Sequence, residues 1–458
     1  MPVSPDFRPS TAHAALGDAF FDVVAPADFP KAILRHRDDR WAARVGLAGL
    51  SDEEWVGFMA RFQPLPGSHP QPLALRYHGH QFRHYNPDLG DGRGFLYAQL
   101  HDLVDGRLLD LGTKGSGTTP WSRAGDGRLT LKGGVREVLA TEMLEAQGVY
   151  TSKSLSLVET GEDLLRYDEP SPTRSAVLVR LSHGHIRIGS FQRQAALEDI
   201  DALRTLLNYS VQTYVPEAAR ENEAERAVAF LAAVCARVAR LGGQWMAAGF
   251  VHGVLNTDNI NITGESFDYG PWRWLPAYDP AFTAAYFDES GLYSYGRQPE
   301  TLQWNLTRLA ECLLPFADKE PLIDALQTFL PAFRAEYDAA TIRRLGVPSA
   351  GAETDAALAH AWWVGLAESQ MPFEQAFFGA FGGELGASFG DDFAPVRALL
   401  EGYARPGRPD HPYFRQDKPC SMLIDEVEAI WAPIAAADDW SLFHDKIAAI
   451  RQMGEALG

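Results

Sequence analysis

Cysteine is scarce: the 458-residue chain has three, Cys235, Cys312 and Cys420, far apart and without CxxC spacing. That excludes a disulfide framework and a thiolate zinc site as organising features, and a reducing, cytoplasmic setting is expected. Long apolar runs are missing too. Nowhere does the chain reach the roughly 18 consecutive apolar residues of a membrane span, and its first residues show no basic region followed by an unbroken apolar segment. Neither secretion nor a membrane partner is expected. Positive charge is in deficit, with 41 Lys and Arg against 60 Asp and Glu, a net charge of -19. Such a chain repels polyphosphate backbones, so nucleic acid is not an expected partner, and any anion must be held by a local cluster of arginines and lysines. With 46% apolar and 22% charged residues, the composition is that of a globular protein long enough for two or three compact units.

What is present centres on Phe250 to Pro271, FVHGVLNTDNINITGESFDYGP. A His-Gly pair precedes Thr257-Asp258-Asn259, and Asp268-Tyr269-Gly270 follows. The layout resembles the H-R-D-x-x-x-x-N and D-F-G segments of protein kinases, where the Asn and the second Asp hold magnesium on ATP. One position departs: the slot of the kinase catalytic Asp holds Val254, which cannot accept a proton.

Upstream, residues 1–75 mix short helical patterns such as Asp52 to Phe62 with prolines at 64, 66, 70 and 72, and read as an N-terminal extension. Phe95 to Leu100 and Leu108 to Thr113 read as strands joined at Asp105-Gly106. Glycines at 90, 92 and 94 precede the first strand and Lys114 closes the second, the order of a kinase glycine loop and phosphate-binding lysine. Taken alone, the glycines also fit an ordinary turn and Lys114 a solvated surface lysine. Leu129 to Gln147 has helical spacing and carries Glu137, which either pairs with Lys114 as the kinase helix-C Glu does or stays exposed on the helix. Gly-Asp-Gly-Arg occurs twice, at Gly90 to Arg93 and Gly125 to Arg128. The pair fits two oxyanion-binding turns or two tight turns with solvated arginines. Ser154 to Glu159 and Ala176 to Leu181 read as strands flanking a polar hairpin over 161–175. Arg180, in AVLVRL, and Arg187, in HIRIGSF, fit snorkelling edge residues or contacts to a buried polyphosphate.

From about residue 192 the pattern is helical. Glu223 to Gly249 is a long amphipathic segment leading into the central stretch, and Trp272, Trp274, Tyr278, Phe282, Tyr286 and Phe287 read as core packing beside it. Helices are expected near Gln303 to Leu314, Pro321 to Tyr337, Glu353 to Ser369 and Phe393 to Tyr403. A proline-rich linker follows at 405–413, then a helical tail. The expected units are residues 1–75 (extension), 76–191 (β-rich N-lobe), 192–404 (helical C-lobe) and 405–458 (C-terminal helical extension).

With LGTKGSGTTPWSRAGDGR, VREVLATE, LVRLSHGHIRIGSF and HGVLNTDN…DYGP in order, residues 75 to 310 resemble the selenoprotein O / YdiU family. The resemblance implies an α+β, protein-kinase-like two-lobed fold and transfer of AMP from ATP to protein hydroxyls, with ATP flipped relative to kinases. UMP transfer with Mn2+, a conventional kinase and a silent nucleotide-binding pseudokinase are the competing expectations. Carried over, Lys114 contacts phosphate and Glu137 orients it, while Gly90, Gly92, Arg93, Asp126, Gly127, Arg180 and Arg187 bind nucleotide. Asp258 is the implied proton acceptor; Asn259 and Asp268 are the implied Mg2+ ligands, Asp268 also lying near the nucleotide. The partners implied are proteins modified on Ser, Thr or Tyr. Arg83 to Asp88 departs from the family's more apolar approach to the glycine loop. The tail carries no selenocysteine or terminal cysteine, so thiol-based redox control there is not expected, Cys420 being a weak substitute.

Overall fold

The computed structural model describes residues 3–167 and 169–458. It is an α+β, kinase-like fold in which an antiparallel sheet of nine strands is followed by a helical half. We number the strands that matter here β1 (Phe21–Val23), β2 (Ile33–Arg37), β3 (Leu73–Leu75), β4 (Gly79–Gln81), β5 (His84–Asn86), β6 (Leu96–His101), β7 (Leu108–Lys114), β8 (Lys153–Leu164) and β9 (Thr173–Ser182). The sheet runs β1-β3-β6-β7-β9-β8-β2, with the two-residue strands Pro9–Ser10 and Leu129–Thr130 pairing at β6 and β9. The strands β4 and β5 form a separate hairpin. Residues before 76 thus supply four of the nine strands as well as short helices, among them Asp52–Met59 with its Ser51/Glu54 capping box.

The alternation of side chains explains why residues 176–179 are apolar without a break. Leu178 and Leu157 face one core with Val135, Val138 and Leu139 of helix α1 (Leu131–Ala146). Val177, Val179, Leu111 and Tyr97 face the other way, against Trp55, Phe58 and Met59 of the N-terminal segment. A sheet covered on both faces has no polar side to show. The β6–β7 turn uses Gly106 at φ 76°, with its N–H bonded to Asp102 O at 2.9 Å.

The remaining helices named here are α2 (Ile188–Ala196), α3 (Glu223–Ala248), α4 (Gln298–Cys312), α5 (Phe329–Arg344), α6 (Ala352–Ser369), α7 (Ile424–Ala437) and α8 (Ser441–Leu457). Helix α3 starts on Asn222, whose side chain accepts from Glu225 N, and stops at Gly249, φ 66°, in the left-handed region. That stop delivers the chain into Phe250. The helix expected over 321–337 is two helices, broken at Thr328, because Pro331 is accommodated in the first turn of a new helix and not inside a continuing one. The 161–175 hairpin includes position 168, outside the described residues; on either side β8 and β9 extend it further than expected. Of the aromatic run after the central stretch, Trp272 and Trp274 are core, but Tyr286 and Phe287 are exposed at 83% and 48%, a correction to the packing expectation.

Candidate functional site

A cleft of about 700 Å³ opens where the sheet meets the helical half. Lys114 stands at the end of β7, and Arg180 stands on the neighbouring β9, opposite Gly112. Leu178 and Arg180 are two residues apart on one strand, so they share the α1 side of the sheet. This face is where Glu137 arrives: it lies on α1, 1% exposed, in contact with Lys114 Nζ. The helix is seated by Thr130, whose side chain caps Gly133 N. Lys114 is itself only 5% exposed, which removes the solvated-lysine reading.

Asp268 joins them. Its Oδ1 lies 2.9 Å from Lys114 Nζ and 3.1 Å from Arg180 Nη1. Burial alone would raise its pKa, but Lys114, then Arg180 and Arg187, outweigh that and hold the carboxyl well below the ordinary range. Its backbone is left-handed, φ 62°, a conformation non-glycine residues take at a cost that these ion pairs offset.

Arg187 precedes α2 and is 4% exposed. Its guanidinium lies 4.3 Å from the Tyr77 ring centre and 5.0 Å from that of Phe267; Nη2 is 3.2 Å from Asp91 Oδ1, and Nη1 donates to Asp258 O at 3.2 Å. Asp258 sits in the short turn Thr257–Asn259, and its Oδ1 is buried with no hydrogen-bond partner among the described residues. Burial, partly opposed by Arg187, pushes this carboxyl up to about 6. Asn259 follows in the same turn, its Nδ2 donating to Val254 O at 2.9 Å. The valine in the kinase-base slot therefore contributes its carbonyl to anchoring the turn.

The two GDGR segments meet at the cleft mouth. A side chain at Gly90 would collide with the Trp121 ring, and one at Gly92 with Trp121 O. Ser122 Oγ donates to Gly92 O, and Thr119 Oγ1 to Asp91 O at 2.6 Å. Gly127, φ 69°, packs on the backbone of Gly117. Asp126 is engaged by Arg166 at 2.8 Å, and Arg93 is in the wall. The cleft thus brings together Gly90, Gly92, Arg93, Lys114, Asp126, Gly127, Arg180, Arg187, Asp258 and Asp268. Glu137 stands behind Lys114, and Asn259 stands beside Asp258 without being among the residues that line the cavity. Sequence reasoning passed over Asp91, Tyr77 and Phe267, which neutralise or stack on Arg187. Asp91 lies between Gly90 and Gly92 of the first GDGR segment.

A further cavity of about 440 Å³ lies behind α1, walled by α5 and α8. Two of its arginines are held in ion pairs: Arg451 of α8 binds Glu142 of α1 in a bidentate pair, 2.9 Å from Nε, and Arg344 meets Glu374 at 2.7 Å.

Residues 6–395 match the family model described as Protein adenylyltransferase SelO. The chain belongs to this family. The Protein nucleotidyltransferase YdiU of Gloeobacter violaceus is 44% identical over 477 residues, covering 98% of this chain and 95% of that protein. Its namesake in Synechocystis is 43% identical, covering 95% and 96%, and that of Synechococcus elongatus is 51% identical, covering 73% and 67%. By family the chain is a nucleotidyltransferase, an enzyme that requires a nucleotide donor. The SelO match takes in every residue of the cleft and ends before α7 and α8.

Among the described residues no group of three or more His, Cys, Asp and Glu is arranged to hold a metal ion. The carboxylate of Asp268 and the carboxamide oxygen of Asn259 are the hard donors Mg2+ takes, and one or two protein ligands completed by phosphate oxygens and water is its usual manner in nucleotide sites. The donor set therefore fits Mg2+ bound together with a nucleotide.

Proposed function

We propose that the enzyme transfers AMP from ATP to Ser, Thr or Tyr hydroxyls of proteins, with ATP reversed relative to a kinase. The observation that carries this reading is the pair of buried guanidiniums, Arg180 and Arg187, lining the cleft of an acidic protein. Charge-assisted contacts from them suit phosphates where a kinase seats an apolar base. Lys114, oriented by Glu137, adds a further cation, and the Gly90–Arg93 and Gly125–Arg128 turns bring in the nucleotide-binding positions Gly90, Gly92, Arg93, Asp126 and Gly127.

In the transfer, the acceptor oxygen attacks the α-phosphorus, the bond to the bridging oxygen breaks, and pyrophosphate leaves. The acceptor proton goes to Asp258, whose unpartnered Oδ1 and raised pKa suit a base working near neutrality. Asn259 and Asp268 would hold Mg2+, which when bound neutralises charge developing on the phosphates. The test is incubation with acceptor proteins and ATP labelled at the α or the γ position. Label retained from the α position is expected. Label retained from γ alone would make the protein a conventional kinase, and ATP binding without retention of either label would make it a non-catalytic binder. Running UTP against ATP, each with Mg2+ and with Mn2+, identifies the nucleotide and metal; ATP with Mg2+ is expected to be fastest.

A further inference from the structure

The hairpin β4–β5 takes a turn that its sequence does not favour. Its two turn residues, Phe82 and Arg83, have φ 48° and 64°. A two-residue turn with both centres left-handed normally calls for Asn and Gly. Two bulky residues hold such a conformation only where their surroundings over-determine it.

The surroundings here are the turn that carries Asp258. Phe82 N lies 3.1 Å from both Asn256 Oδ1 and Tyr293 Oη, and Tyr293 Oη donates to the same Asn256 oxygen at 2.7 Å. His80 N donates to Thr257 Oγ1 at 2.7 Å. The Phe82 and Tyr293 rings are 4.8 Å apart, and Tyr293 is itself fixed by its N–H, 2.7 Å from Asp288 Oδ2. Arg83 is tied down by Glu300 at 3.0 Å. Asn256 O in turn accepts from Asn259 N at 3.0 Å. At the start of β4, Gly79 presents bare backbone to Asp258: a Cβ there would stand 3.1 Å from Asp258 Oδ1 and 3.0 Å from Thr257 Oγ1. Glycine at 79 therefore puts no side chain against the unpartnered oxygen.

We propose that the β4–β5 hairpin is a positioning device for Asp258, with Tyr293 and Asn256 as its positioning residues. The strain in the turn is sustained by docking on the Asn256–Asn259 turn, and the docking fixes where the Asp258 carboxylate points. The catalytic part of this inference rests on Asp258 being the proton acceptor. Its structural part, that the hairpin holds the turn, does not.

Tyr293→Phe keeps the ring packing and removes the hydroxyl. In the α-labelled ATP assay we expect kcat to fall about tenfold, the scale of one lost hydrogen bond at a positioned group, with KM for ATP within about twofold of wild type and the thermal midpoint nearly unchanged. Gly79→Ala, which spares every hydrogen bond, should also lower kcat, because its methyl group crowds Oδ1. Asn256→Ala combined with Tyr293→Phe should be no slower than Asn256→Ala alone, since the two act as one unit. Wild-type kcat in Tyr293→Phe, or a loss carried by KM for ATP, overturns the proposal. Amide hydrogen exchange of His80, Phe82 and Asn259 is followed in parallel. Faster exchange in Tyr293→Phe supports the brace even if wild type transfers no α label, which would count against the proposed function alone. Unchanged exchange overturns the brace. Should Tyr293→Phe not fold, Thr257→Val, which removes the acceptor of His80 N, is read by the same two measurements with the same outcomes.

Discussion

Asp258 and Asp268 share one cleft and one short stretch of chain, and their surroundings treat them in opposite ways. Asp268 is gripped by Lys114 and Arg180, and its carboxyl is held well below the ordinary range. Asp258 has a buried oxygen with no partner and is pushed up to about 6. An acid that stays ionised suits holding cations, whereas one poised near neutrality suits accepting a proton. The difference arises from placement. Asp268 meets the Lys114 and Arg180 side chains that β7 and β9 deliver, while Gly79 puts no side chain against the Asp258 carboxylate and Arg187 donates to the Asp258 backbone carbonyl.

The sharpest way to break that comparison is Asp258→Asn. We expect transfer to drop about 10²–10⁴-fold, the usual contribution of a positioned base, while ATP still raises the thermal midpoint. Next is stability, where the two acids should differ in sign. Asp268→Asn leaves buried Arg180 without its nearest carboxylate and Lys114 with Glu137 alone, and should destabilise by about 3–5 kcal/mol at pH 7, measured by urea unfolding. Because the folded-state pKa of Asp268 is depressed, its contribution is present above its unfolded pKa, ordinarily 3.8, and is lost as pH falls through the folded value. Asp258→Asn should instead stabilise by about 1–3 kcal/mol at pH 7. A group whose folded pKa is raised from 3.8 to about 6 costs stability when ionised, and the cost appears as pH rises through that interval.

A pH profile sharpens the same point. Since Asp258 must be deprotonated to act as base, kcat should rise through about pH 6 and level off above it, with no such limb in the residual activity of Asp258→Asn. The smallest effect is expected from Arg93→Ala. Arg93 lines the cleft outside the ion-pair cluster of Asp268, so KM for ATP should rise about tenfold, the loss of one charge-assisted contact, without change in thermal midpoint.

Much of this was readable from the chain because the relevant signals are local. The Asp105-Gly106 turn, the capped helix ending at Gly249 and the order NTDN then DYGP each lie within a few residues. A lysine closing a strand followed by a glutamate on the next helix also marked out two residues that the fold brings into contact. What resisted reading depends on partners far along the chain. Asp91 matters because Arg187 lies against it, and nothing within the GDGR motif announces that. The strands β1 and β3 are three residues long, too short for alternation to register, and their pairing is set by the sheet they join. Tyr286 and Phe287 looked like core because hydrophobicity is one-dimensional, whereas burial depends on what lies opposite.

The contacts made by α7 and α8 carry a consequence for synthesis. Arg35 and Arg174 of the sheet both bind Asp438, and Arg451 closes on Glu142, a residue 309 positions earlier. Pairings of such sequence separation form late. As the chain leaves the ribosome, the sheet and α1 emerge long before the arginine that matches Glu142, so until residue 451 arrives α1 lacks part of the charge balance at its back. The half of the molecule made first is finished by the half made last, and a ribosome that stalls before α8 would release a sheet with its strands present and its α1 ion pair incomplete.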